Sequence, residues 1–300
     1  MELDSNFELN NILFYGGSSL LAQMWTNTFE IKKNIFLTQH IQEIKIKGCQ
    51  ILNVEFEIPK KKLISIIKKN KIKVVINCVG LTNVEKCEND LDNANFLNSR
   101  VPQILAKVCE SLKIKFVHIS TDHLFDGKKS FYDELEIPNP LNIYAKSKYI
   151  GEKNVINSNK ESLIIRTNFF GEGPNYKPSF SDTIISSLKD KKQISLFTDV
   201  FYTPIHIREL ARTCEILIKE KQKGIFNVVS KERISKYDFG IMIAKKLNFS
   251  EELILQCKIS DRDDLKKRPK DMSLSNKKIH SILNQNIIPL EEQIGFLNNN

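Results

Sequence analysis

A tyrosine and a lysine four residues apart could form a proton-transfer pair in this sequence. Tyr144 and Lys148 share one face if their segment is helical, because side chains at i and i+4 lie one above the other. A phenol has an unperturbed pKa of about 10, and a nearby ammonium lowers that pKa by stabilising the phenolate. Thr121, at the end of an apolar run, could offer its hydroxyl to the same oxygen. These residue types predict general acid catalysis of a carbonyl reduction.

The Tyr-x-x-x-Lys spacing alone is weak evidence, because the chain is rich in lysine and Tyr149 and Lys153 repeat the spacing. A surface helix carrying lysines is the competing interpretation. The position of Tyr144 favours a functional role. It follows the proline-containing loop 138–142, where a helix is expected to begin, and the strand-like run 115–120 precedes that loop. Tyr149 lies further into the predicted helix, so we expect it to pack.

The composition is that of an ordinary globular protein. The chain has 300 residues, of which 41% are hydrophobic and 27% charged, enough for one large α/β unit or two joined domains. No apolar run approaches the roughly 20 residues that cross a bilayer, and the N-terminal residues do not follow a signal-peptide pattern. The six cysteines are scattered without a C-x-x-C pair, so we expect neither disulfides nor a metal site. These features predict a cytoplasmic protein with no membrane partner.

The formal net charge of +9 allows two interpretations. A basic surface can bind nucleic acid, but the lysine runs fall on predicted helices and no aromatic residues interleave with them to stack bases. We therefore favour a solvated lysine-rich surface and expect no nucleic-acid partner. A positive potential would still help to gather an anionic cofactor or a nucleotide-linked substrate.

The N-terminal segment predicts a dinucleotide-binding unit. The apolar run 11–15 ends in Gly16-Gly17-Ser18-Ser19, and an amphipathic stretch follows to residue 29. Glycines in such a turn let the backbone approach a pyrophosphate, and the helix N-terminus stabilises its charge. Alignment with G-x-x-G-x-x-G at Gly16 places the small residues Ser19 and Ala22 at the other glycine positions. A strand-to-helix turn without a ligand is the alternative.

Strands and helices continue to alternate, which predicts a Rossmann-like, doubly wound parallel sheet covered on both faces. Ligands of such sheets bind outside the carboxyl ends of the strands. Four predicted strand ends would meet at one edge: Gly16, residues 78–82, residues 120–121 and residues 166–169. We expect residues 1–168, with about 205–229, to form the dinucleotide-binding domain. Residues 169–204 and 230–300 would form a smaller, mixed α/β substrate-binding domain.

Several short motifs occur in a specific order and spacing. They are Asn77-Cys-Val-Gly-Leu-Thr82, Asn98, Ser120-Thr-Asp-His-Leu-Phe-Asp-Gly127, Pro140-Leu-Asn-Ile-Tyr-Ala-Lys-Ser-Lys148 with Gly151-Glu152, Ile165-Arg-Thr167, Asp199 with Pro204, and Arg268-Pro269. Over about residues 12–274 the chain resembles extended short-chain dehydrogenases/reductases, and among them most closely the dTDP-4-dehydrorhamnose reductases.

The resemblance implies reduction of the C4 keto group of a nucleotide-activated 6-deoxy sugar, in deoxysugar or surface polysaccharide biosynthesis. Tyr144 would protonate the carbonyl oxygen, Lys148 would lower the tyrosine pKa and bind the nicotinamide ribose, and Thr121 would complete the catalytic set. The implied cofactor contacts are Gly16, Ser18, Ser19, Leu20, Leu21, Glu55, Phe56, Cys78, Val79, Gly80, Thr82, Asn98, Ser120, Tyr144 and Lys148. The implied substrate contacts are Thr82, Thr121, Asp122, His123, Phe125 and Phe169. Asn98 has a competing structural role, since an asparagine inside a helix can bond local backbone.

Three departures from the family pattern concern the substrate. His123 stands where these reductases usually carry tyrosine, Phe169 replaces a tryptophan, and Asp199-Val200 replaces an Asp-Gln pair. These changes leave the proton-transfer residues intact and put the identity of the sugar in doubt. The predicted second strand ends in Thr38-Gln39-His40 without the carboxylate that would bind a ribose 2′-hydroxyl, so NADP(H) is favoured over NAD(H).

Two alternatives to a reductase remain open. One is a nucleotide-sugar epimerase or dehydratase of the same fold, and the other is a non-catalytic relative that binds NADP(H) as a regulatory subunit. The complete set of Thr121, Tyr144 and Lys148 argues against the second. A symmetric homodimer is the default expectation for the assembly.

Overall fold

The computed structural model describes residues 11–29, 34–55, 57–283 and 286–297. Its strands are β1 (Ile12–Tyr15), β2 (Ile35–Gln39), β3 (Gln50–Asn53), β4 (Val74–Asn77), β5 (Lys115–Ile119), β6 (Leu163–Arg166), β7 (Phe169–Phe170), β8 (Ile194–Phe197), β9 (Phe201–Tyr202), β10 (Ile205–His206), β11 (Gly224–Asn227), β12 (Ile234–Ser235) and β13 (Ile254–Cys257). Its α-helices are α1 (Leu20–Thr26), α2 (Lys60–Lys69), α3 (Val84–Asn89), α4 (Leu91–Asn95), α5 (Val101–Leu112), α6 (Ile143–Ser158), α7 (Phe180–Lys189), α8 (Ile207–Lys219), α9 (Lys236–Lys246), α10 (Lys277–His280) and α11 (Leu290–Ile294).

Seven parallel strands form the central sheet in the order β11-β6-β5-β4-β1-β2-β3. The inner strands β1, β4 and β6 are buried at every position, as expected for strands covered on both faces. The predicted doubly wound α/β fold is confirmed. The strand order reverses between β1 and β4, and this reversal opens a crevice at the carboxyl ends of the strands.

A hydrophobic core lies on each face of the sheet. On one face, Phe14 packs edge-on against the fully buried Trp25 of α1, with ring centres 5.5 Å apart, and α8 completes the layer. On the other face, α2 and α5 bury Leu63 and Leu105 against the sheet. Because apolar surface is removed from water on both faces, the faces are closed to ligands and the strand ends remain accessible.

The helix predicted over residues 92–112 is interrupted. A π-helical turn, Phe96–Arg100, separates α4 from α5. Pro102 lies just after this turn, and a proline has no N–H for the carbonyl four residues earlier, which is that of Asn98. The wider turn accommodates that missing hydrogen bond and moves Asn98 out of the regular α-helical register.

The C-terminal part has a separate core, which gathers side chains of α7, α9, α11 and β8 around Phe239. Three two-stranded sheets accompany it, β10 with β7, β12 with β9 and β13 with β8. The segment around Ile279 and Leu283 packs instead against the central sheet. Among the described residues, no helix has the length and apolar character needed to span a membrane.

Candidate active site

The carboxyl ends of β1, β4, β5 and β6 border a cleft of about 440 Å³. The structure brings together in this cleft many of the residues named from the sequence: Ser19, Leu20, Leu21, Cys78, Val79, Gly80, Thr82, Ser120, Thr121, Asp122, His123, Tyr144, Lys148 and Phe169. Parallel strands end at the same edge of a sheet, so residues far apart in the chain meet there.

Helix α6 presents Tyr144 and Lys148 to the cleft. The helix begins where Asn142 accepts a hydrogen bond from the N–H of Ala145 at 2.9 Å, a capping contact that sets the register of the first turn. One turn beyond Lys148, the buried Glu152 accepts two hydrogen bonds from Arg166 of β6, at 3.0 and 2.8 Å. This bidentate ion pair fastens the helix to the sheet below the cleft.

Tyr144 is 7% exposed, and its ring packs edge-on against that of His123 with centres 5.5 Å apart. Burial raises the pKa of Tyr144, whereas a hydrogen bond with Thr121 opposes that rise. Burial outweighs the influence of Thr121, and the lowering of this pKa by Lys148 stays a prediction. The phenol therefore stays protonated at neutral pH, which is the form a proton donor needs.

Lys148 is buried, and its ammonium donates a hydrogen bond to the carbonyl of Ile119 at 2.6 Å. Burial lowers the pKa of Lys148 to about 8, and the charges of Glu152 and Cys78 oppose this effect. An ammonium has three N–H donors, so two remain for other acceptors. The neighbouring Ser120 hydroxyl is buried and makes no hydrogen bond within the described residues. Both groups can therefore bind the hydroxyls of a ligand lying in the cleft.

The turn after β1 allows a close approach of backbone. Gly16 has φ of 94°, and its N–H donates to the Thr38 hydroxyl at 2.7 Å. A Cβ atom at Gly16 would lie 2.7 Å from a methyl carbon of Val79, so only glycine fits here. The hydroxyl of Ser19 caps α1 by accepting a hydrogen bond from Ala22. With the unpartnered Ser120 hydroxyl, this glycine turn is a suitable cradle for a dinucleotide.

Asp122 and its neighbours line the part of the cleft beyond Tyr144. The Asp122 carboxylate is 1% exposed and accepts hydrogen bonds from Thr121 at 3.2 Å and from Asn168 at 2.7 Å. Burial lowers the pKa of His123, and the charges of Lys236 and Arg268 lower it further, although Asp122 opposes them. The imidazole is therefore neutral at neutral pH and can donate or accept a hydrogen bond.

Several predicted contacts lie elsewhere. Gly16 and Ser18 form the turn behind the cleft, Glu55 is exposed beyond β3, and Phe56 lies outside the described residues. Phe125 is 1% exposed and stacks on Tyr132 with ring centres 4.1 Å apart. Its buried position corrects the expectation of a substrate contact, because a ring enclosed by its neighbours is not available to a ligand.

Asn98 lies beneath the cleft and connects two of its walls. Its amide group donates to the Leu81 carbonyl at 3.0 Å and to the Ser147 hydroxyl at 2.9 Å, and its oxygen accepts from the Leu81 N–H at 2.9 Å. These partners are distant in sequence, so the alternative that Asn98 bonds local backbone is wrong. The side chain instead ties the loop after β4 to α6.

Further residues line the cleft that were not named individually as contacts. Thr167 and Asn168 belong to the strand end 166–169, which the sequence placed at this edge of the sheet. Lys177 and Phe180 come from the loop before α7 and from its first residue, and no motif distinguishes them. Tyr149, the alternative tyrosine, packs against the interior cluster of Leu124 and Phe125.

The fold and the cleft define an extended short-chain dehydrogenase/reductase. The chain belongs to the RmlD substrate binding domain family, whose model matches residues 11–298. This result confirms the predicted family resemblance.

The chain is similar to several named relatives. It is 28% identical to the probable low-salt glycan biosynthesis reductase Agl14 of Haloferax volcanii, over 94% of this chain and 95% of the relative. It is 31% identical to a dTDP-4-dehydrorhamnose reductase of Aggregatibacter actinomycetemcomitans, over 75% and 80% of the two chains. It is also 30% identical to methionine adenosyltransferase 2 subunit beta of Bos taurus, over 58% and 54%.

Solved structures share the fold. A hypothetical dTDP-4-dehydrorhamnose reductase from Sulfolobus tokodaii superimposes with a TM-score of 0.81 at 29% identity, covering 94% of this chain and 98% of that one. A dTDP-4-dehydrorhamnose reductase from Bacillus anthracis, solved in complex with NADP, gives a TM-score of 0.81 at 22% identity, covering 96% and 98%. At 22% identity, the similarity between this chain and the Bacillus anthracis reductase shows a shared fold and nothing further.

Proposed function

We propose that this protein reduces the C4 keto group of a nucleotide-activated 6-deoxy sugar with NAD(P)H, as a dTDP-4-dehydrorhamnose reductase-like enzyme. The observation that carries this proposal is the convergence of Thr121, Tyr144 and Lys148 in one cleft at the carboxyl edge of the sheet. The nicotinamide cofactor, when bound, supplies the hydride.

In the proposed reaction, Tyr144 transfers its phenolic proton to the sugar oxygen as that oxygen gains negative charge. Thr121, which opposes the rise in the pKa of Tyr144, would hold the phenol in position. Lys148 donates to a ribose hydroxyl while the Ile119 carbonyl orients its ammonium. Phe169 offers an apolar face on which a sugar ring can stack.

We favour NADP(H) as the cofactor, with NAD(H) as the alternative. At the end of β2, Gln39 and His40 follow Thr38, so this strand end carries no carboxylate to bind a ribose 2′-hydroxyl. The presence of NADP in the solved Bacillus anthracis reductase agrees with this choice.

The test is the loss of NADPH absorbance with dTDP-, UDP-, GDP- and CDP-linked 4-keto-6-deoxy sugars. We expect rapid oxidation with one of the nucleotide sugars and none without enzyme. No oxidation with any of them, together with tight NADPH binding, would overturn the reductase proposal in favour of an epimerase or a non-catalytic role.

A non-catalytic role is the second candidate, because methionine adenosyltransferase 2 subunit beta is among the relatives and is named as a subunit. It predicts tight NADP(H) binding with no turnover. The same absorbance assay, combined with a cofactor titration, distinguishes the two candidates.

We also propose the domain division stated above, with residues 1–168 and about 205–229 binding the cofactor. The separate core around Phe239 supports a smaller substrate-binding part within residues 169–204 and 230–300, from which the segment around Ile279 and Leu283 departs by packing against the central sheet. A role in polysaccharide biosynthesis follows by analogy with Agl14, which is named for glycan biosynthesis. The assembly we expect is a homodimer, which light scattering after gel filtration would test.

A further inference from the structure

A groove of about 1180 Å³ lies away from the active-site cleft and shares no lining residue with it. Its lining residues come from segments 131–135, 231–232, 275–280 and 286–289. Small-molecule pockets have volumes of roughly 300–1,000 Å³, so this groove is large for such a ligand. Its size favours a protein partner.

The groove runs beside β11, the outermost strand of the central sheet. Glu134, which lines the groove, accepts a hydrogen bond from the N–H of Asn227 at 2.9 Å. Lys278, on the other wall, donates to the C=O of Ile225 at 2.6 Å. These are main-chain groups that an added strand would need, and side chains already occupy them. A partner in this groove therefore docks through side chains and not by extending the sheet.

The loop 131–137 presents apolar side chains to solvent on a fixed backbone. Leu135 is 92% exposed, Ile137 83% and Phe131 46%. The N–H of Phe131 donates to the Ser273 hydroxyl at 2.8 Å, and the N–H of Tyr132 donates to the Ser273 carbonyl at 3.0 Å. Because the loop is held in place, little further ordering is needed when a partner covers these side chains. Exposed apolar side chains beside a groove are typical of a protein interaction site.

The groove is electrically balanced, although the chain has a net charge of +9. Its lining carries three carboxylates and three ammoniums, those of Asp133, Glu134, Glu232, Lys231, Lys277 and Lys278. Two copies of so basic a chain repel each other on average, and they approach at least cost where the facing surfaces are neutral. A strongly acidic or strongly basic partner would instead favour a surface of one sign. The balance of charges therefore favours a second copy of this chain.

One carboxylate of the groove has an unused acceptor. The Oε2 atom of Glu232 is buried and makes no hydrogen bond within the described residues. A buried carboxylate oxygen is costly without a donor, so an N–H or an ammonium supplied by a partner would be stabilising here.

We propose that this groove is the interface of a symmetric homodimer, in which the loop 131–137 of each copy lies in the groove of the other. A two-fold interface uses the same surface of both copies, so that surface must complement itself. This one does, because it combines a protruding apolar loop with a groove and carries charges of both signs in equal number. The inference does not depend on the proposed reaction, and it leaves the clefts of both copies open.

The first experiment is sedimentation velocity of the full chain from about 0.1 to 100 µM. We expect a dimer, and Leu135→Gln should weaken it by at least about 10-fold, because the apolar contact is lost twice in a symmetric interface. Ile41→Gln makes a similar change at a side chain that is 87% exposed beyond β2, towards the opposite end of the sheet. It should leave the dimer unchanged. NADPH binding should stay within about 2-fold in both variants, which shows that each is folded.

The second experiment tests the charge balance. Lys277→Glu gives each groove an excess of two negative charges, so it should weaken the dimer by at least about 10-fold. Lys61→Glu changes the net charge of the chain equally at an exposed position of α2, and it should not weaken the dimer.

The outcomes decide the proposal in either direction. Weakening by both groove variants and by neither control would support this interface. A chain that is monomeric at every concentration would overturn the homodimer. A dimer that either groove variant leaves unchanged, or that a control variant weakens equally, would place the interface elsewhere and would also overturn the proposal.

Discussion

The side-chain amide of Asn98 donates a hydrogen bond to the hydroxyl of Ser147 at 2.9 Å, across 49 positions of sequence. Ser147 lies between Tyr144 and Lys148 on α6, and the other contacts of Asn98 are with Leu81 in the loop after β4. One buried side chain thus sets the distance between the loop and the helix that form opposite walls of the cleft. The π-helical turn around Asn98 is what gives it this reach.

Replacing Asn98 with alanine should affect both stability and activity. The change leaves the N–H of Leu81 without its partner and the C=O of Leu81 with only the weak thiol donor of Cys87, and an unsatisfied buried group costs about 1–3 kcal/mol. We expect destabilisation of about 2–4 kcal/mol in urea unfolding, with a fall in kcat from the displaced α6. Asn93→Ala, at an exposed position of neighbouring α4, is the matched control. Full stability of Asn98→Ala would contradict the bridging role.

Removing the phenolic hydroxyl of Tyr144 should abolish turnover. General acid catalysis contributes about 10²- to 10⁴-fold, so the kcat of Tyr144→Phe should fall by at least about 10²-fold. NADPH affinity should stay within a few-fold, since the aromatic ring is kept. Tyr149→Phe repeats the chemical change at the tyrosine that packs in the interior, and it should remain active. Near-normal turnover by Tyr144→Phe would show that another group supplies the proton.

Breaking the ion pair beneath the catalytic helix should be costly. In Glu152→Gln the buried Arg166 guanidinium loses its compensating charge, and removing one partner of a buried pair typically costs about 3–5 kcal/mol. Denaturant unfolding measures this loss. Glu161→Gln removes one partner of the exposed pair with Lys223 and should change stability little, because water screens that interaction. Similar effects of the two substitutions would mean that Glu152 does not anchor α6 electrostatically.

Cofactor affinity should depend on pH through Lys148. Burial lowers the pKa of this ammonium from 10.5 to about 8, so the folded protein releases the proton more readily than the unfolded chain. The amine loses its charge as pH rises through about 8, and NADPH affinity should fall over the same range. Fluorescence titration between about pH 6.5 and 9.5 measures it.

Two variants identify the group responsible for this pH dependence. Lys148→Met should bind NADPH more weakly and without the step near pH 8. Lys236 has a similarly lowered pKa of about 8, so Lys236→Met is the matched control and should retain the step. A step that persists in Lys148→Met but disappears in Lys236→Met would show that Lys236, and not Lys148, is the titrating group.

Local pattern was sufficient to predict the layers of the fold. Apolar runs such as Val74–Asn77 are nearly continuous because strands buried on both faces exclude polar residues, and glycine at position 16 marks the turn after β1. Because parallel strands end at one edge, these runs also brought Thr121, Tyr144 and Lys148 to the expected cleft. Tyr144 was separated from Tyr149 by its place at the start of a helix after a loop.

Other features depended on contacts between distant segments. Phe125 turns inward, where it stacks on Tyr132, and burial raises the pKa of Tyr144. The ammonium of Lys236 lies against the rings of Phe180 and Tyr202 because α7 and β9 bring these rings to it from other parts of the chain. The sequence alone determined where strands and helices form, since their periodicity is local. The tertiary structure decided which side chains are dehydrated and which charges meet, because both depend on packing between segments far apart in the chain.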